Sequence, residues 1–245
     1  MWLWALIPIC LAVFGSVCIW VVFGIAVSNG TVNVTVRFPY ISECGTYDPQ
    51  RCVFSQVCNI SSVLMLWIVF IRFQQVRNYD HNSRVNRASI ILGFISCLGI
   101  SIIGNFPQSV FFGIHVFGAF LAFTLGLSYF WLQVWLTYKA PPSDECLWVG
   151  PIRAALCTLC SVLVVTMVIC LIFDSAHSSV ASISEWALVM SFFFLFGLFG
   201  CPVFGLDCFS HDSAITGDIS DLHGNISEIL GATSHYRING KMAFW

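Results

Sequence analysis

Polar side chains that could form hydrogen bonds or titrate lie at the ends of long apolar stretches in this 245-residue chain. Asn59 begins one stretch, Asn105 ends the next, His115 begins another, Asp174 ends a fifth and Glu185 begins the last. Two interpretations are open: solvated helix ends, or a hydrogen-bonded polar layer that fixes one end of a helical bundle. In the second interpretation His115 titrates in an acidic lumen, with Asp174 and Glu185 as plausible acidic partners.

The remaining residues do not indicate catalysis. The chain contains no HExxH, GxSxG or paired-carboxylate motif, and its loops contain no spaced set of metal ligands. Gln133 is polar within an apolar stretch, but the mid-span ionisable groups that mark membrane enzymes and transporters are essentially absent. Cys157 and Cys160 have the spacing of a redox pair, yet without flanking polar groups we interpret them as packing residues. We therefore expect no enzyme activity and no catalytic, cofactor or metal site.

Six apolar stretches must position these polar residues, and each is long enough to cross about 30 Å of hydrocarbon. Hydrophobic residues make up 58% of the chain and charged residues 9%, which differs strongly from a soluble domain. The sequence predicts an all-α fold, a bundle of six transmembrane helices over about residues 3–27, 54–73, 88–106, 111–136, 154–173 and 186–204. We expect a six-helix domain over residues 1–206 and a disordered cytosolic tail over residues 207–245. No charge precedes Arg37, which favours an uncleaved first helix over a signal peptide.

The positions of lysine and arginine predict the orientation in the membrane. Eight of them lie in the second loop, the fourth loop and the tail, whereas the first, third and fifth loops contain only Arg37 and Arg51. Both termini are therefore predicted to be cytosolic. Four arginines around the second loop would suit anionic lipid headgroups, although the orientation rule alone also explains them. They are Arg72, Arg77, Arg84 and Arg87. The net charge of −2 gives no basic field for nucleic acid.

The first loop carries two glycosylation sequons on the predicted non-cytosolic side. Asn33 is the better acceptor, and Asn29 lies closer to the membrane. The sequon at Asn59 falls within or beside the second span and the one at Asn225 falls in the tail. We expect modification at Asn33, with Asn29 as a second candidate, and none at the other two.

Cysteines give a further expectation for the first loop. Cys44 and Cys52 are the only cysteines well inside it, on the predicted oxidising side. We expect a Cys44–Cys52 disulfide, with two free thiols or pairing to Cys58 as the alternatives. Cysteines near the cytosolic face are candidates for palmitoylation: Cys146, Cys201 and Cys208.

Small residues recur every fourth position on the fourth apolar stretch. Gly118, Ala122 and Gly126 form one stripe, which permits close approach of a neighbouring helix. The stripe predicts helix packing, either inside the bundle or, as the alternative, at a dimer face.

Several short motifs, in a fixed order across six spans, resemble a known family. The first loop contains Pro39, Tyr40, Ile41 and Ser42, followed by Phe54, Ser55 and Gln56. Later come Gly104-Asn105-Phe106, His115 with Gly118-Ala119-Phe120, Tyr129 to Gln133, and Glu185-Trp186. The chain resembles the damage-regulated autophagy modulator family and, within it, the transmembrane protein 150 group, over about residues 4–204. It departs from the family pattern at Pro107, which precedes Gln108, and in the tail.

The resemblance implies a non-enzymatic modulator of macroautophagy and of cell survival under stress. It implies action in plasma, endosomal, lysosomal or autophagosomal membranes through membrane or autophagy proteins that the sequence does not identify. Two alternatives belong to other classes: a scaffold that binds anionic lipid or a phosphoinositide kinase complex, and a channel accessory subunit. The family supplies no catalytic residues to transfer.

Overall fold

A computed structural model gives the fold of the chain and describes residues 2–79, 83–139, 148–173 and 179–200. These residues belong to a compact unit, Met1–Val203. Predictions for Asp174, Asn225, the tail, and the palmitoylation candidates Cys146, Cys201 and Cys208 fall outside the described residues.

The predicted all-α fold with six membrane-spanning helices is confirmed, and the described residues contain no strand. The helices are α1 (Trp2–Ser28), a short α2 (Ile41–Cys44) in the first loop, α3 (Gln50–Tyr79), α4 (Arg84–Asn105), α5 (Phe112–Phe120), α6 (Gly126–Lys139), α7 (Val149–Ile172) and α8 (Ser179–Gly197). A π-helical segment, Leu121–Leu125, joins α5 to α6, so that Phe112–Lys139 forms one span.

Two helices differ most from their predicted ranges. Helix α3 has 30 residues, about 45 Å at 1.5 Å per residue, and so exceeds the hydrocarbon core. Helix α8 begins at Ser179, seven residues before the predicted start at Trp186. The added turns are rich in serine, which lowers their hydropathy, but their serine side chains bond to the first loop, as described below.

The six spans form a closed ring. Helix α1 packs between α3 and α8, α3 against α4, α4 against the fourth span, α6 against α7, and α7 against α8. Aromatic rings link α6 to α8: the Phe130 centroid lies 4.8 Å from that of Phe196 and 5.1 Å from that of Phe192. These rings are buried, whereas large apolar side chains such as Trp67 face outwards, as expected for a lipid-facing surface.

The small-residue stripe of the fourth span lies against α4. A Cβ atom at Gly99 would come within 2.6 Å of the Ala122 backbone nitrogen and 2.7 Å of the Gly118 carbonyl oxygen, so the two backbones approach closely. The Ser96 hydroxyl donates a hydrogen bond to the Ala122 carbonyl at 3.1 Å, within the π-helical segment. The structure thus places this stripe inside the bundle and gives the π turn a partner across the interface.

Candidate functional site

The first loop is fixed to the start of α8 by the 38–42 segment, which comprises Phe38, Pro39, Tyr40, Ile41 and Ser42. The Phe38 N–H donates to the Ser179 hydroxyl at 3.3 Å, and the Ser182 hydroxyl donates to the Phe38 carbonyl at 2.6 Å. These bonds satisfy the backbone of an irregular segment that crosses the bundle end. They join residues 141 and 144 positions apart in the chain.

Trp186 is the aromatic anchor of this contact. Its indole N–H donates to the Pro39 carbonyl at 3.0 Å, and its ring lies 5.8 Å from that of Phe38. On the other side it packs 4.5 Å from the ring of Trp20 in α1. Trp186 is 5% exposed, so its polar and apolar parts are both satisfied in a buried position.

Glu185 forms the polar anchor. Its Oε2 atom accepts a hydrogen bond from the Ile41 N–H at 2.7 Å, and the Ser42 backbone N–H also bonds to this carboxylate, whereas the Ser42 hydroxyl donates to Gln108 Oε1 at 2.9 Å. The carboxylate therefore caps the free N–H groups at the start of α2, and such bonds are stronger than neutral ones. Glu185 is 7% exposed, and this capping compensates for its burial.

The far end of α2 packs tightly against α3. Gly45 follows α2, and a Cβ atom there would lie 2.4 Å from the Phe54 ring, so only glycine fits without movement. At the edge of the segment Arg37 pairs with Glu43 at 2.7 Å, with both side chains partly exposed. The two first-loop motifs, one in the 38–42 segment and one at Phe54, thus share a single packed unit.

The predicted polar layer is divided into separate clusters. Asn59 and Asn105 form a reciprocal amide pair between α3 and α4: the Asn105 Nδ2–H donates to Asn59 Oδ1 at 3.0 Å, and the reverse bond is 3.2 Å. Ser101 and Ser55 extend this pair with hydroxyl donors at 2.8 and 3.2 Å. The described contacts of this pair do not include Glu185, which bonds to the 38–42 segment instead.

His115 does not bond to Glu185, one of the acidic partners considered from the sequence, and it does not bond to Asn105. Its Nδ1 atom donates to the Phe106 carbonyl oxygen at 2.7 Å. The reason is local: α4 ends at Asn105, and Pro107 begins a turn in which the Phe106 carbonyl has left the helix. His115 is buried and supplies a donor to this carbonyl.

A second polar cluster, at the opposite end of the bundle, was not anticipated from the sequence. Arg72, one of the four arginines considered for lipid headgroups, is buried; its Nε–H donates to Gln133 Oε1 at 3.1 Å, and Gln133 donates to the Ser89 hydroxyl at 2.7 Å. Arg153 is 2% exposed, donates to the Leu198 carbonyl at 3.1 Å, and lies 4.4 Å from the centre of the Phe199 ring.

The prediction for Arg72 is therefore wrong, because its side chain turns inwards. Arg77, Arg84 and Arg87 are exposed.

The first-loop cysteines are free thiols in the structure, so the expected Cys44–Cys52 disulfide is not formed. Cys44, the last residue of α2, is buried, whereas Cys52 lies exposed on the first turn of α3. Burial raises the pKa of the Cys44 thiol to about 12, with the nearby charges of Glu43 and Glu185 adding to the effect. Cys157 and Cys160 are buried among apolar residues, and the described part of the chain has no group of three metal-ligating side chains.

The glycosylation candidates are exposed. Asn33 accepts hydrogen bonds from the Thr35 N–H at 3.0 Å and the Thr35 hydroxyl at 2.6 Å through its Oδ1 atom. Asn29 differs, because its Nδ2 atom donates to Gln50 Oε1 at 3.3 Å.

These contacts define the class of protein: a helical membrane protein with six spans, whose first loop is fixed to its last helix. The chain belongs to the family described as Frag1/DRAM/Sfk1/Cwh43P N-terminal domain, which matches residues 3–201. The resemblance identified from the loop motifs is thereby confirmed.

Curated relatives agree with this assignment. The chain is 51% identical over 207 residues to "Modulator of macroautophagy TMEM150B" of Danio rerio, covering 84% of this chain and 88% of the relative. It is 41% identical to the protein of the same name from Homo sapiens, covering 79% and 83%. "DNA damage-regulated autophagy modulator protein 2" of Bos taurus is 32% identical, covering 67% and 71%. No solved structure matches the chain.

Proposed function

We propose that this protein is a non-enzymatic, multi-pass modulator of macroautophagy and of cell survival under stress. The observation that carries the proposal is the similarity to relatives named as modulators of macroautophagy, which extends over most of the chain. We place it in plasma, endosomal, lysosomal and autophagosomal membranes, with its partners among membrane or autophagy proteins. Since its loops are short, such partners must bind at a membrane surface or within the bilayer.

The geometry supports a regulatory role through one fixed face of the bundle. The 38–42 segment, α2 and the start of α8 form a buried, hydrogen-bonded cover at the end of the ring. We propose that this cover lies on the lumenal or extracellular side and both termini in the cytosol, which the charge bias favours. An epitope tag after Trp245 should then be labelled only in permeabilised cells, and labelling of intact cells would contradict this orientation.

The functional proposal is tested by deleting the protein and measuring autophagic flux. Turnover of a lipidated autophagosome marker is compared with and without lysosomal inhibition, in fed and starved cells. We expect deletion to change the inhibitor-dependent accumulation of the marker, and re-expression of the wild-type chain to restore it. Unchanged flux in fed and starved cells, at confirmed loss of the protein, would refute the proposal.

A second candidate function is a scaffold for anionic lipid, or for a phosphoinositide kinase complex, on the cytosolic face. It is favoured by Arg77 and Arg84, which are exposed where α3 ends and α4 begins. Each such charge contributes about 1 kcal/mol to attraction by an anionic surface. Binding to anionic vesicles should weaken in the double variant Arg77→Gln with Arg84→Gln. Arg51→Gln, on the opposite side, is the matched control and should leave binding unchanged.

A further inference from the structure

A large cavity opens beside the 38–42 segment, between the fourth span and α7. Its volume is about 750 Å³, within the range of sites for single small molecules. Among the described residues, α5 and α7 make few direct contacts, since α7 packs on α6 and α8. The fourth span and α7 therefore diverge towards the end of the bundle that the first loop covers.

The cavity is amphiphilic along its length. Its deep wall is apolar and includes Phe123, Val164, Met167 and Leu188, whereas its mouth includes Gln108, His115 and Glu185. Along the fourth span the lining runs from Phe112 to Thr124, about 18 Å of helix. This length is roughly one leaflet of a bilayer with a core of about 30 Å.

The cavity is accessible from the hydrocarbon. Phe120 of α5 and Val168 of α7 both line it, and both are about half exposed, at 53% and 46%. In a membrane-embedded helix pair, such an opening faces lipid rather than water. An occupant would therefore enter from the bilayer, with an apolar body and a polar head near the 38–42 segment.

The polar groups at the mouth select the head of that occupant. Arg37 pairs with Glu43, so the described lining residues include no lysine or arginine outside that pair, and Glu185 adds a further acidic side chain. A phosphate head would therefore face a carboxylate in a site of low dielectric. Because His115 donates from Nδ1 to the Phe106 carbonyl, its neutral ring presents Nε2 as an acceptor.

A hydroxyl head fits this arrangement. It can donate to Glu185 or to His115 Nε2, and it can accept from the Gln108 amide N–H, since the Gln108 Oε1 atom already accepts from Ser42. We propose that this cavity binds an uncharged lipid alcohol, whose hydroxyl lies at the mouth and whose apolar body lies between the fourth span and α7. Sterols and diacylglycerols share this chemistry.

The proposal is tested with photoactivatable, clickable analogues of a sterol and of a diacylglycerol, each added to the purified full chain in phosphatidylcholine nanodiscs. Cross-linked peptides should map to the fourth span and α7. Unlabelled lipid alcohol should compete, and the same lipid capped as a methyl ether should compete about tenfold less, because it cannot donate a hydrogen bond. If only one analogue labels the chain, and unlabelled lipid of the same kind reduces that labelling, the result shows whether the occupant is a sterol or a diacylglycerol.

A matched pair of variants locates the site. Val168→Trp fills the cavity and should lower specific labelling about tenfold, as expected when a large ring overfills a packed site. Val165→Trp lies on the same helix outside the lining and should change it by less than about twofold. If Val168→Trp fails to fold, competition by the alcohol against its ether on the wild-type chain decides. Labelling elsewhere, equal competition by ether and alcohol, or stronger competition by phosphatidylserine would overturn the proposal.

Discussion

Replacing Glu185 by glutamine tests how the first loop is held to α8. The glutamine side chain keeps the shape and one acceptor oxygen, but the bonds from Ile41 and Ser42 lose their charge. Bonds to a charged group contribute about 1.5–3 kcal/mol and neutral ones about 0.5–1.5 kcal/mol. Allowing for relaxation, the substitution should destabilise the closed arrangement by about 1–2 kcal/mol, which corresponds to a factor of about 5–30 in the open-to-closed ratio.

Hydrogen exchange on the full chain in nanodiscs measures this ratio at the affected amides. Exchange of peptides that contain Ile41 and Ser42 should accelerate by about 5–30-fold in Glu185→Gln, because local opening governs exchange there. Glu43→Gln is the matched control. It makes the same chemical change within α2, in a partly exposed pair with Arg37 that contributes about 1 kcal/mol or less. Equal exchange in the two variants, or no change in Glu185→Gln, would refute the capping role of Glu185.

Three other predictions concern the first loop and the buried arginine. Glycosidase treatment should sharpen the gel band, and Asn33→Gln combined with Asn29→Gln should abolish that shift; a shift that persists would place the glycan elsewhere. Since burial raises the pKa of the Cys44 thiol to about 12, this thiol stays protonated near neutral pH. Cys44 should therefore resist maleimide until the chain unfolds, whereas the exposed Cys52 should react in the native state. Peptide mapping that finds the two cysteines equally reactive, or linked by a disulfide, would contradict the structure. Arg153→Met should lower the free energy of unfolding in detergent by about 2–4 kcal/mol, because the buried hydrogen bonds from its guanidinium to the Thr137 hydroxyl at 3.0 Å and to the Leu198 carbonyl are lost. Unchanged stability would show that these bonds do not stabilise the fold.

The six spans could be predicted from the sequence because hydropathy and length suffice to identify a membrane helix. Helix α8 includes residues from Ser179 onwards, before the predicted start, because serines lower the hydropathy of these turns; in the structure Ser179 and Ser182 bond to the 38–42 segment. The residue types of the polar layer were recognised, but their partners were not. His115 bonds to a backbone carbonyl that becomes available where α4 ends, which no side-chain pattern records.

The buried arginines illustrate a second limit. A lysine or arginine near the end of an apolar stretch usually indicates orientation, and Arg72 and Arg153 could not be distinguished from such residues by position alone. Only the fold brings both guanidinium groups to the same Phe199 ring, at 5.8 and 4.4 Å. The lone Gln133 within an apolar stretch was the available signal, because a polar residue there needs a partner from another helix.

Rescue of autophagic flux in cells that lack the protein tests most directly both the proposed function and the role of the contact between the 38–42 segment and α8. Wild-type chain, Glu43→Gln and Glu185→Gln are expressed at matched abundance, and the inhibitor-dependent accumulation of the autophagosome marker is measured after starvation. We predict that the wild-type chain and Glu43→Gln restore flux, whereas Glu185→Gln restores it only in part, because the 38–42 segment is no longer held to α8. Full rescue by Glu185→Gln, or normal flux in the cells without the protein, would contradict the account.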